Sequence, residues 1–214
     1  MNDIANYTLR LRLSPTAQPV TDLAGINTAL AIVGARIAPL EIRAAPTEVQ
    51  SVLAKQILTA ADRSRLMTHF LMPRNRLLKV IAAAGREPKI AGGGEIETAV
   101  ASHGTHYPQL YLAEEGVDYS RFDRLHVNTA EDGTGVDEIM QFLSGSGVVL
   151  HQKTPDGGAM TLHMDCPSPD FGWCLTYDGA IPHIGSLSAA SPGSKILMQI
   201  IGPPRWSIRY TDEA

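Results

Sequence analysis

Turn-forming residues recur at short intervals through the second half of this chain, and they restrict its fold more than any other feature. Gly116, Asp132-Gly133, Gly145, Asp156-Gly157-Gly158, Asp178-Gly179, Pro192-Gly193 and Pro203-Pro204 cut it into short segments. The segments between them predict strands at Tyr107–Leu112, Phe122–Asn128, Glu138–Leu143, Val148–Gln152, Met160–Asp165, Trp173–Tyr177, Lys195–Ile201 and Trp206–Tyr210. Short strands at such spacing predict an all-β sandwich or barrel.

The first 90 residues have a different character. Tyr7–Leu13 alternates leucine with arginine and predicts an early strand. Helical signals follow. Asp22 can cap a helix carrying Leu23, Ile26, Leu30 and Val33, and Pro39 should end or kink whatever continues that far. Thr47-Glu48-Val49-Gln50 matches a capping box ahead of Val49, Val52, Leu53 and Ile57. Asp62 can cap a further helix, with Leu66, Phe70 and Leu71 turned inward. Pro73 breaks it, and a last helix through Leu77, Leu78, Val80 and Ile81 stops at Gly85. The chain thus divides into a mainly helical region, 1–90, and a β region, 91–214. Gly92-Gly93-Gly94 lacks the ending of a phosphate-binding loop and reads as the hinge between them.

Composition narrows the function. Net charge is −4, aromatic residues make up 6 % and there is no basic run, which argues against a nucleic-acid partner. No signal peptide and no apolar run of about 20 residues is evident, so a cytoplasmic protein with no membrane partner is expected. Two cysteines, Cys166 and Cys174, make no disulfide framework; reduced thiols are expected, with a single bridge across the eight-residue step left open.

Chemistry concentrates between Arg121 and Gly147. Residues two apart on a strand share a face. Phe122, Arg124, His126 and Asn128 therefore share one face, and Glu138, Met140 and Phe142 share another on the next strand. If the two strands are neighbours, an imidazole, an amide and a carboxylate converge, as a metal site or an acid–base site requires.

Those residues carry a family resemblance. Glu138 and Gly145 have the seven-residue glutamate-to-glycine spacing of the first cupin motif, and His126 occupies its first histidine position. Asn128 stands in place of the second histidine, and the loop before Glu138 is longer than usual. Pro182-His183, before the Lys195–Ile201 strand, resembles the second motif with a tighter spacing. The C-terminal half, roughly residues 105 to 210, thus resembles a cupin. This implies an α+β chain in which a helical N-terminal portion precedes a cupin-like antiparallel β-barrel, or jelly roll. It also implies a divalent transition metal (iron, manganese, nickel or zinc) held by His126, Glu138 and His183.

The expected function is a metal-dependent enzyme of oxygenase or lyase type, acting on a small organic acid or an aromatic compound. Its catalytic residues would be His126, Glu138 and Asn128, with His151 or His163 as proton carriers. Arg124 would pair with a substrate carboxylate, and Met140, Phe142, Trp173 and Tyr177, with Met198, would line an apolar pocket. The alternatives are a metal-free small-molecule sensor and a metal-free acid–base isomerase using His126 and Glu138. Other candidates are His103 and His106, three apart before a strand, and the His163, Asp165 and Cys166 group. The helical stripes need a cover, so a homodimer is expected.

Overall fold

The computed structural model describes residues 8–89, 100–101, 107–112, 124–166, 169–186 and 193–211. His103, His106, Gly92–Gly94 and Phe122 lie outside the described residues.

Strands β1 (Leu9–Arg12), β8 (Ala159–Met164), β7 (Val148–Lys153), β10 (His183–Ser186), β5 (His126–Thr129), β12 (Arg205–Tyr210) and β3 (Val100–Ala101) form one sheet in that order. The second sheet runs β2 (Arg36–Glu41), β9 (Phe171–Asp178), β6 (Asp137–Ser144), β11 (Lys195–Ile201) and β4 (Gln109–Leu112). All ladders are antiparallel except β12 with β3. Among the described residues no ladder joins the two sheets, so the expected barrel is observed as two facing sheets. One apolar cluster fills the space between them, with Leu11, Leu150 and Leu162 from the first sheet and Phe142, Trp173 and Leu175 from the second.

Among the described residues, three of the four helices sit on the outside of the five-stranded sheet, while the first, Leu23–Leu30, turns Ile26, Ala29 and Leu30 into the cluster between the sheets. Between α1 (Leu23–Leu30) and α2 (Thr47–Leu53) the chain lays down β2, and α3 (Ala60–Phe70) and α4 (Arg74–Ala83) follow. Val49, Val52, Leu66 and Phe70 pack on Leu110, Leu143 and Leu197, and Leu77 and Ile81 on Ile139 and Ile201. This explains why β6 and β11 are buried almost end to end, on both faces, while β8 alternates buried and accessible residues. Buried amides fasten the α3–α4 link to the sheet. Gln199 accepts from the Met72 backbone N–H at 2.9 Å and donates back to its carbonyl at 3.1 Å, and Gln141 donates to the Phe70 carbonyl at 2.8 Å.

Local signals were only partly as expected. Asp22 caps α1. Pro39 ends no helix; it lies within β2, at the sheet edge, where its missing N–H costs no ladder bond. The cap of α2 is Pro46 rather than a Thr47 box, and Gln50 instead donates to the carbonyls of Arg43 and Ala45. Thr59 caps α3, with Asp62 completing a capping box from the third helical position. Pro73 opens α4. The motif glycine, Gly145, has φ +107°, and a Cβ there would stand 2.0 Å from Ser194 Oγ. Only glycine fits so close an approach with that backbone.

Candidate active site

The site lies between the sheets. β5 and β10 bring His126 and His183 into register as cross-strand partners, with ring centroids 4.4 Å apart. Directly paired residues share a face, and both rings face inward, each 2 % exposed. Across from them, β6 supplies Glu138, buried at 3 % exposure, and β9 supplies its ladder partner Tyr177.

Hydrogen bonds fix the chemistry of each group. His126 Nδ1 lies 2.7 Å from the Arg124 carbonyl, and His183 Nδ1 lies 2.8 Å from the Ile181 carbonyl. A carbonyl only accepts, so each Nδ1 carries the proton and each neutral ring presents a bare Nε2. A backbone acceptor behind the ring in this way is the usual support of a metal-binding histidine. Glu138 Oε1 accepts from Asn128 Nδ2 at 2.7 Å, and Oε2 accepts from the Tyr177 hydroxyl at 2.9 Å. His183 Nε2 stands 3.4 Å from Glu138 Oε1.

Burial dominates the titration of these groups. It lowers both imidazoles to about 4, helped in His126 by the neighbouring His183. Burial raises Glu138, against the Asn128 hydrogen bond that favours its charge, and raises Tyr177 well above the ordinary tyrosine range. Two neutral rings therefore face a carboxyl group that is costly to ionise. A bare nitrogen lone pair opposite a carboxylate oxygen at 3.4 Å repels unless a cation or a shared proton lies between them.

A cavity of about 50 Å³ opens beside these groups. His126, Asn128, Glu138, Tyr177 and His183 line its polar end; Met140, Ile196 and Met198, with Gly185, Tyr107 and Tyr111, line the rest. The two phenols lie 2.9 Å apart, and Tyr111 donates to Gln109 Oε1 at 3.0 Å. Gly179 makes room for the carboxylate: a Cβ there would sit 3.0 Å from Glu138 Oε1. Asn128 Oδ1 is buried without a hydrogen-bond partner.

His126, Asn128, Glu138, His183, Met140, Tyr177 and Met198 are thus brought together. Phe142 and Trp173 lie in the apolar core outside the cavity lining, Trp173 donating its indole N–H to the Asp165 carbonyl at 2.9 Å. Arg124 stacks its guanidinium over Tyr210, 4.2 Å from the ring centre, beyond the cavity. His151 and His163 alternate with inward Leu150 and Leu162 and so point away from the site. Both thiols are free; burial raises Cys166 and holds Cys174 at about 12, so neither is an activated nucleophile. Tyr107 and Tyr111 escaped the sequence reading; Tyr107 precedes β4, and only the folded chain brings the two hydroxyls together. Gln152, in register with His183 on β7, was missed too; both its amide atoms are buried without partners.

Among the described residues, no three His, Cys, Asp or Glu side chains are gathered closely enough to hold a metal ion as they stand. No helix of the described residues is long and apolar enough to cross a membrane. No protein-family model matches the sequence, and no curated protein sequence matches it. Among solved structures, the chain is similar to an acireductone dioxygenase from Bacillus anthracis with a cadmium ion in its active centre. The TM-score is 0.60 at 13 % identity, covering 95 % of this chain and 98 % of that one. Facing antiparallel sheets, a glutamate and a positive-φ glycine seven residues apart on β6 and its turn, and this likeness agree: the chain has a cupin-like fold.

Proposed function

We propose that this protein is a metal-dependent enzyme of the oxygenase kind acting on a small molecule. The observation that carries the reading is the bare Nε2 of His183, 3.4 Å from a buried carboxylate oxygen with no protein donor between them, beside the inward ring of His126, whose Nε2 is bare too. Their chemistry fits a divalent transition metal such as iron, manganese, nickel or zinc, which His126, His183 and Glu138 would hold. When bound, such an ion supplies Lewis-acid polarisation and open positions for substrate and dioxygen or water.

The chain's own residues do the rest. Asn128 and Tyr177 fix the two oxygens of Glu138. The backbone carbonyls of Arg124 and Ile181 lock the tautomers, so both rings meet a cation without first losing a proton. Met140, Ile196 and Met198 keep bulk water from the charged groups, which strengthens every electrostatic contact there. The likeness to a dioxygenase of the same fold supports this reading.

A second reading is favoured by Asn128 in the place of a second histidine and by the hydrogen bonds already on both Glu138 oxygens. A proton then lies between His183 and Glu138, and the pair works as acid and base on a small substrate.

Metal analysis separates the two. The protein is purified without a histidine tag, reconstituted separately with Fe(II), Mn(II), Ni(II) and Zn(II), and desalted. One ion per chain, lost in His183→Ala and in Glu138→Gln, is the expected result. Absence of every metal after reconstitution would overturn the metal reading and leave the acid–base one.

A further inference from the structure

We infer that Lys89, on the segment that follows α4, is a positioning residue for His183: it holds Asp178, and Asp178 holds the turn that fixes the His183 ring. This rests on the site proposed above and adds to it a residue from outside the cavity lining.

Two acidic side chains meet at the edge of the site. Asp137 and Asp178 are ladder partners on β6 and β9, and Asp137 is fully buried. Like charges directly opposite each other push strands apart. Two cations from one short segment, 86–89, offset them. Arg86 Nη2 stands 3.2 Å from Asp137 Oδ1 and donates to Thr176 Oγ1 at 2.8 Å. Lys89 Nζ pairs with both oxygens of Asp178. The Lys89 backbone N–H also donates to Asp137 Oδ2 at 2.6 Å, so this one residue bonds both carboxylates. The next pair along the same ladder is Glu138 with Tyr177, the carboxylate of the site and its hydroxyl donor.

Asp178 also opens the turn that leads to His183. Its Oδ1 accepts from the Ala180 N–H at 2.8 Å, and its carbonyl accepts from the Ile181 N–H at 3.1 Å. The Ile181 carbonyl in turn accepts from His183 Nδ1. Within the same turn, the Gly179 carbonyl accepts from the Asn128 N–H at 2.7 Å. Contacts therefore run without a break from Lys89 through Asp178 and the turn to the imidazole. His126 is held separately, by the Arg124 carbonyl ahead of β5, and so serves as an internal control.

The test reads the ring ¹⁵N signals of the histidines in the full, metal-free chain at neutral pH, where the two tautomers give distinct patterns. Zn(II) affinity is measured beside it by competitive chelation. Lys89→Met should leave the His126 signals in place and move those of His183 away from the pure Nδ1–H form. Zn(II) affinity should fall about tenfold, the usual effect of losing a partner behind a ligand. Lys89→Arg, which keeps the ion pair, should retain both properties. In Asp178→Ala the His183 signals should move at least as far, and adding Lys89→Met should move them no further, as for two residues acting through one contact. Lys89→Gln is read in the same way where Lys89→Met does not fold. Unmoved His183 signals overturn the inference, and so does equal movement of both rings, which marks a general loosening of the fold. A wild type that binds no Zn(II) sinks only the metal reading, because the ring signals are read without metal.

Discussion

His126 and His183 are cross-strand partners whose rings are held the same way, each Nδ1 bound to the carbonyl two residues earlier in its own chain segment. Two separate strands thus produce the same tautomer and the same exposed nitrogen. Asn128 Nδ2 completes the ring of contacts at Glu138 where a third imidazole would otherwise stand. Asn128→His should therefore raise affinity for Zn(II) or Ni(II) by about tenfold or more, since a neutral imidazole is a better ligand for either than an amide. Competitive chelation titrations check this. Unchanged affinity would mean that position 128 does not reach the ion.

Tyr177→Phe removes the donor to Glu138 Oε2. Partners behind a ligand usually matter about 10- to 100-fold for metal affinity. The variant should lose about tenfold in affinity and about 1–3 kcal/mol in stability at neutral pH, from the bare buried oxygen. Titration with Mn(II), followed by electron paramagnetic resonance, and urea unfolding measure the two separately.

The two histidines make the metal-free protein sensitive to mild acid. Folded, they stay neutral down to about pH 4; unfolded, they take up protons below about 6.5. The unfolded chain binds more protons across that window, so their contribution is whole above pH 6.5 and is lost as pH falls towards 4. Glu138 acts in the opposite sense. Its raised pKa keeps the folded protein protonated where the unfolded chain has ionised, so its contribution declines as pH rises above the ordinary glutamate range. Unfolding free energies from pH 7 to 4 should fall more steeply in the wild type than in His126→Gln. Parallel curves would show that the His126 ring titrates normally.

Gly145→Ala should cost about 3 kcal/mol or more. It joins a left-handed backbone at φ +107° to a contact of 2.0 Å with Ser194 Oγ. Ser194→Gly alone should cost far less, and combined with Gly145→Ala it should recover only the part due to the clash. Denaturant midpoints of the three variants test this.

Gln152→Leu should be neutral or stabilising by about 1 kcal/mol. It replaces a buried amide with two unbonded atoms by an apolar side chain of similar size, beside Met160 on the inner face. A loss above about 2 kcal/mol would show that the amide has a partner in solution.

Much of the β architecture was legible because its signals are local. Lys195–Ile201 and Val148–Gln152 are apolar runs closed by turn formers, and the observed strands match them to within a residue. Glu138 and Gly145 could be paired from spacing alone, because the turn that needs Gly145 lies at a fixed distance along β6. β10 was not legible: only four residues long and with Gly185 inside it, HIGS carries no alternation, although Pro182-His183 drew notice by its motif. β2 was hidden by Pro39, which reads as a helix end unless the strand is known to lie at an edge. The tyrosines at 107 and 111 and the orphaned Gln152 became visible only through long-range pairing, which places β4 beside β11 and β7 beside β10.

The pairing of β1 with β8 and of β2 with β9 has a consequence for synthesis. Leu9 meets Met164, and Ile37 meets Leu175. At about 5–20 residues per second, the ribosome delivers the partner strands roughly 7 to 30 seconds after the first strands emerge. Through that interval Leu9, Leu11 and Ile37, all fully buried at the end, have no sheet to join. Completion of the fold therefore waits on its later half, and a nascent chain halted before residue 159 would expose two unpaired, aggregation-prone strands.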